Sequence, residues 1–125
     1  MNLEETLQSI EAAGDESLYI LWTNADPLSA EKMVFMYAKN CMLYEQWEKL
    51  TIIVWGATTK LVAEDEQIQE QVRYLQSLGV HFTACVTCAK ELGVGDKIAA
   101  LDIDLVTWLK PLTALLKGRK HLLTV

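Results

Sequence analysis

The sequence predicts an α/β fold: a mainly parallel, five-stranded sheet covered by helices on both faces. Three observations predict it. Short apolar runs of strand length recur along the chain, as in "SLYILWT", "LTIIVWG" and "VHFTAC". Those runs are apolar throughout rather than alternating, the mark of strands buried on both sides. Segments with helical spacing separate them, and strand–helix alternation builds parallel sheets through right-handed crossovers.

The elements follow in order. Asn2 to Ala13 reads as an opening helix, with Leu3, Leu7 and Ile10 on one side and Gly14 as its stop. Ser17 to Thr23 is the first buried strand. "NADP" turns the chain, and Ser29 is placed to cap a long helix reaching to about Trp47. Leu50 to Gly56 is a second strand, rich in β-branched residues. "GATTKLV" reads as the loop after it. Glu64, Asp65 and Glu66 suit the positive end of the next helix, whose narrow stripe is Ile68, Val72 and Leu75, closed by Gly79. "VHFTAC" is the third strand and "VTCAKEL" opens a short helix. After a Gly-punctuated connection come a short strand at Asp104–Thr107, a helix with Pro111 in its first turn running through Leu116, and a closing strand in "KHLLTV". The whole is a three-layer α/β/α sandwich, broadly flavodoxin-like, a class that by itself decides no function.

Composition bounds the rest. The 125 residues suit one domain with its own core, over residues 1–125. A net charge of −6 leaves no basic face for nucleic acid or anionic lipid. With no apolar stretch of about 18 residues and no signal-like start, no membrane partner is expected and the localisation is read as cytoplasmic. The three cysteines are an odd number and are expected reduced. Apolar residues make up 51% of the chain, slightly above the usual range, so some apolar surface is expected to meet another subunit. The helix from Ser29 agrees: one stripe runs through Ala30, Met33, Val34, Tyr37, Cys41 and Tyr44, and a second through Phe35, Met36, Met42 and Leu43. The second stripe is expected to bury against a neighbouring chain, the alternative being packing under the N-terminal helix.

Parallel strands gather their carboxyl ends on one edge, where α/β proteins hold their ligands. Trp22, Trp55 and Cys85 fall there, and the following loops supply Asn24, Asp26, Thr58, Thr59 and Lys60. A thiol beside two indoles and these polar groups makes a small, half-dry pocket. Cys85 sits between strand and helix, where unpaired N–H groups and the helix dipole favour a thiolate; the other reading is a small buried hydrophobe. Cys88 is a turn further on, either a resolving thiol or a core-facing residue. A lone Cys-x-x-Cys supplies two of the four ligands that structural zinc wants, so no metal is expected. His81 lies four strand residues before Cys85, roughly 13 Å away, too far for a Cys–His catalytic pair. His121 has nothing placing it near the thiol, and Cys41 reads as structural. No G-x-G-x-x-G or Walker loop occurs, and no nucleotide or other cofactor is expected.

The segment "LGVHFTACVTCAKELGV" resembles that around the functional cysteine of the DsrE/DsrF-like family of sulfur-relay proteins: a Gly-Val, an apolar strand, a cysteine, a short helix and another Gly-Val. Gly79, Val80, Phe82, Cys85, Gly93 and Val94 carry the match. "LTIIVWG" and "LLKGRKHLLTV" fit the family's second and last strands, so the resemblance spans roughly Leu18 to Val125, with residues 1–14 an added helix. The resemblance implies an α/β/α sandwich assembled as a trimer or hexamer, and a persulfide carried on Cys85 between a sulfur donor and an acceptor protein. Cys88 departs from the relay pattern, in which small apolar residues follow the cysteine. The leading expectation is therefore a sulfurtransferase-like carrier of sulfane sulfur on Cys85. A thiol redox or peroxide-sensing module using Cys85 and Cys88, or a non-catalytic oligomeric assembly protein, are the alternatives.

Overall fold

The computed structural model describes residues 2–125. Its elements are α1 (Leu3–Ala12), β1 (Ser17–Trp22), α2 (Pro27–Ser29), a π-helical segment (Ala30–Phe35), α3 (Met36–Leu43), β2 (Lys49–Val54), α4 (Ala57–Glu64), α5 (Glu66–Ser77), β3 (His81–Cys85), α6 (Val86–Glu91), α7 (Gly95–Ala99), β4 (Asp104–Val106), α8 (Leu109–Lys117) and β5 (His121–Thr124). The five strands lie in the order β4-β3-β2-β1-β5, and every neighbouring pair is parallel.

Strand order decides which face each helix covers. From β1 to β4 the chain steps three times in one direction, and right-handed crossovers then put all intervening helices on one face. The return from β4 to β5 runs the other way, so α8 lands on the opposite face. The core divides accordingly. Ile20, Ile52 and Phe82 pack under Val34, Val72 and Ile98 on the first face. Tyr19, Ile53 and Val106 pack under Ile10 of α1 and Leu115 of α8 on the second. Among the described residues, no helix is long and apolar enough to cross a membrane.

The expected strands are present to within a residue or two at each end, β2 starting one residue earlier at Lys49 and ending two earlier at Val54; the connections differ more. Asp26, not Ser29, caps the helix after β1, its carboxylate accepting from the Ser29 N–H at 2.9 Å. The helix also stops earlier, at Leu43 rather than Trp47, where Glu45 turns to φ 54° and the Gln46 N–H donates back to the Cys41 carbonyl at 2.8 Å. "GATTKLV" is helical from Ala57 rather than a loop. The two stripes expected on the long helix are also mixed. The π-helical segment adds a residue to its turn and rotates the residues after it, so Val34 and Phe35 both reach the core. The core side is Ala30, Val34, Phe35, Ala38 and Cys41; the outer side leaves Met33, Met36, Tyr37, Leu43 and Tyr44 exposed. Packing under the N-terminal helix does not occur, because α1 lies on the other face of the sheet against α8.

Candidate functional site

Two cysteines open the helix that follows β3. Cys85 ends the strand and occupies the N-cap position of α6 with extended backbone angles, φ −66° and ψ 116°. Its side chain is buried, 5% exposed. Its sulfur makes no capping hydrogen bond to α6. The expected exposed thiol at the helix start is thus not found at Cys85, which is buried and caps nothing.

Cys88 is the accessible thiol. It lines a cavity of about 1080 Å³ at the carboxyl edge of the sheet, together with Gly56, Ala57, Lys60, Glu91 and Leu92. Side chains at N-cap and at the third helical position approach each other, the geometry that capping boxes exploit, and Cys88 is hydrogen-bonded to the Cys85 sulfur. The Gly56 backbone also hydrogen-bonds the Cys88 sulfur. That glycine sits at φ 72° in the turn from β2 into α4, a conformation other residues rarely adopt, which brings its amide to the thiol. Burial pushes the Cys88 thiol above its ordinary range; the Gly56 contact opposes this, while the Cys85 thiol and the nearby Glu91 carboxylate add to it. All three cysteines are free thiols.

The other expected site residues are dispersed. Trp22 is fully buried on the first face, edge-on to Phe35 with ring centroids 5.1 Å apart, and its indole donates to the Asn24 carbonyl at 3.0 Å. Trp55 packs on the opposite face. Asn24 and Asp26 build the turn rather than a pocket: the Asn24 side chain accepts from the Asp26 N–H at 2.9 Å. The Ser29 backbone and hydroxyl bonds hold the Asp26 carboxylate below the usual range. Thr58 and Thr59 are fully buried in α4. The Thr58 hydroxyl donates to the Trp22 carbonyl at 2.7 Å and accepts from the Trp55 N–H at 3.2 Å, tying the ends of β1 and β2 together. Only Lys60 of the expected loop groups reaches the thiol's cavity. Among residues that sequence reasoning missed, Glu91 stands three after Cys88 on the same helical face, a spacing that was legible. The contribution of Gly56 depends on a fold contact and was not. Cys41 is a core residue, 2% exposed. His81 pairs with Asp104 at 2.7 Å and His121 faces Asp15 at 3.8 Å. Among the described residues, no three His, Cys, Asp or Glu side chains gather into a metal-holding group.

Fold and site together define a small, all-parallel α/β protein with a Cys-x-x-Cys at the sheet's carboxyl edge. No model of a known family matches the chain, and no curated protein does. A solved structure does: a conserved protein of unknown function from Bacteroides thetaiotaomicron, 34% identical, with a TM-score of 0.87 over 89% of this chain and 96% of that one. The chain belongs to the same family as that Bacteroides protein.

Proposed function

We propose that this protein is a sulfane-sulfur carrier whose receiving thiol is Cys88, with Cys85 as the thiol that resolves it. The observation that carries the reading is the placement of Cys88 on a cavity wall, its sulfur hydrogen-bonded to that of a buried second cysteine. The resemblance to the DsrE/DsrF-like family supports it, with the role moved three residues along from Cys85. In the first step the Cys88 thiolate attacks the outer sulfur of a donor persulfide. One S–S bond breaks and one forms, the donor leaves as thiolate, and Cys88 holds the persulfide. An acceptor protein's thiolate then takes the outer sulfur. Without an acceptor, the Cys85 thiolate attacks the inner sulfur, closes the Cys85–Cys88 disulfide and releases hydrosulfide. The cytoplasm is the compartment in which such a pair starts as the dithiol.

Intact-mass analysis after incubation with a low-molecular-weight persulfide tests this. Cys85→Ser is expected to gain one sulfur on Cys88, the wild type to pass on to the disulfide, and Cys88→Ser to gain nothing. A wild type that shows neither adduct nor disulfide refutes the reading.

We also propose that the chain self-associates through the outer side of the π-helical segment and α3. Met33, Met36, Tyr37, Leu43 and Tyr44 are exposed there, a continuous set of large apolar groups that an isolated chain has no reason to keep in water. A trimer or hexamer would bury the face. Light scattering of the wild type against Met36→Lys, expected to shift mass toward the monomer, decides it.

A further inference from the structure

The cavity beside Cys88 is unevenly charged. Glu64 ends α4, Asp65 caps α5 and Glu66 opens it, so three carboxylates meet at one junction of the wall. Glu91 ends α6 three residues after the thiol and adds a fourth. Lys60 is the single cation among the described residues that line the cavity. The junction is tied in place. The Asp65 carboxylate accepts from the Ile68 N–H at 3.1 Å, and the Gln69 side chain donates to the Val62 and Ala63 carbonyls at 2.9 and 3.1 Å. Between the charges the wall is apolar, with Ala57, Leu61 and Leu92. A wall charge needs no contact with an occupant to act on it: its field reaches roughly 8 Å at physiological ionic strength, and apolar walls concentrate it. The Glu91 carboxylate already acts on the Cys88 sulfur, so the field extends to the reacting atom.

We propose that this cavity selects its sulfur donor by charge, taking a low-molecular-weight persulfide that carries an ammonium group and turning away those that carry a carboxylate. The inference rests on Cys88 as the receiving thiol and names the chemistry of what reaches it. A volume of about 1080 Å³ admits the whole of a small molecule. Four carboxylates against one ammonium leave a negative surplus, which draws a cation in and repels an anion. The Cys88 thiolate bonds to the donor's outer sulfur, the donor's S–S bond breaks, and the aminothiol leaves as its thiolate and takes a proton from water. The departing thiolate is neutralised by its own ammonium. A carboxylate-bearing donor would instead leave two negative charges beside the same acidic wall.

Methanethiosulfonates of similar size and opposite charge read the selection without any sulfur transfer. Trimethylammonioethyl and sulfonatoethyl methanethiosulfonate are each reacted with the full-length Cys85→Ser chain, in which an adduct on Cys88 is not resolved. Intact mass follows the adduct and peptide mapping assigns it; the wild type, scored by loss of the reduced chain, is run beside it. Each rate is divided by that of β-mercaptoethanol, which removes the reagents' own reactivity, and the ratio of the two cancels the pKa of Cys88. The cation is expected to be favoured about five- to twentyfold in dilute buffer and less than about threefold in about 1 M salt. Glu66→Gln and Glu91→Gln are each expected to lower the ratio by about 1.5- to threefold, and Lys60→Gln to raise it by as much. A ratio near unity, one indifferent to salt, or one unmoved by all three substitutions overturns the proposal. Aminoethyl persulfide is then expected to load Cys88 about five- to twentyfold faster than carboxyethyl persulfide after the same normalisation. Equal loading overturns the choice of donor. Loading by neither, with the methanethiosulfonate ratio standing, overturns the carrier reading and the donor with it.

Discussion

At Cys88, opposing influences act on one sulfur. Burial and the Cys85 thiol favour the protonated form, the Glu91 carboxylate adds like-charge repulsion, and the Gly56 contact favours the thiolate. The balance lies on the protonated side, so alkylation of Cys88 is expected to accelerate as pH rises beyond the ordinary thiol range rather than level off near neutrality. Glu91→Gln removes one of the raising influences and is expected to speed iodoacetamide labelling at pH 7 by about two- to fivefold, through a lower thiol pKa. Rate–pH profiles by mass spectrometry read both pKa and limiting rate; an unchanged pKa in Glu91→Gln contradicts the assignment. At this scale the Cys-x-x-Cys was legible, but which cysteine faces the cavity was not. Cys85 is 5% exposed although it opens the helix, because the packing around the strand end buries it, and that packing is set by the fold rather than by local spacing.

Among the elements, α4 matters most to the site, because its first turn carries both the Gly56 amide and the Thr58 clasp. A Cβ at Gly56 would meet no atom within 4 Å, so the effect of Gly56→Ala comes from its backbone angle alone, φ 72°. That substitution is expected to cost about 1–2 kcal/mol in urea unfolding and to raise the Cys88 thiol pKa by pulling the amide away. Thr58→Val is the complementary case. It removes the hydroxyl's bonds to the Trp22 carbonyl and the Trp55 amide, which keep their own 3.3 Å bond to each other, while filling the same space, and is expected to cost about 1–3 kcal/mol. Losses below about 0.5 kcal/mol in both would mean that this turn is not what holds the strand ends. The strands were legible because continuous apolar runs have few other uses in a short chain. The helix at "ATTKLVAE" was not, since two threonines after a glycine read as a turn until their hydroxyls are known to be buried. The π-helical segment has no sequence signal; it is fixed by fitting Val34 and Phe35 against the same sheet.

Taken as a whole molecule, the fold protects several acidic hydrogens from water. Burial raises the Tyr19 phenol, the Cys41 thiol, where the Tyr37 hydroxyl partly opposes it, and the Cys88 thiol. They sit on different elements and on both faces of the sheet, so their ionisation strains the whole core. The sign of the pH dependence comes from linkage. A group whose folded pKa is raised binds its proton more tightly in the folded chain, so its stabilisation is complete below the unfolded value and lost as pH climbs through the folded one. Stability is therefore expected to hold near neutrality and to decline progressively above about pH 8.5, where thiols begin to ionise in the unfolded chain, and more steeply above about pH 10, where phenols join. Tyr19→Phe removes the phenol and is expected to flatten the upper part of that decline; Cys41→Ala flattens the lower part. Thermal unfolding across pH 7 to 11 of the wild type and both variants measures this, and parallel profiles for all three would show that these buried hydrogens do not set the alkaline limit.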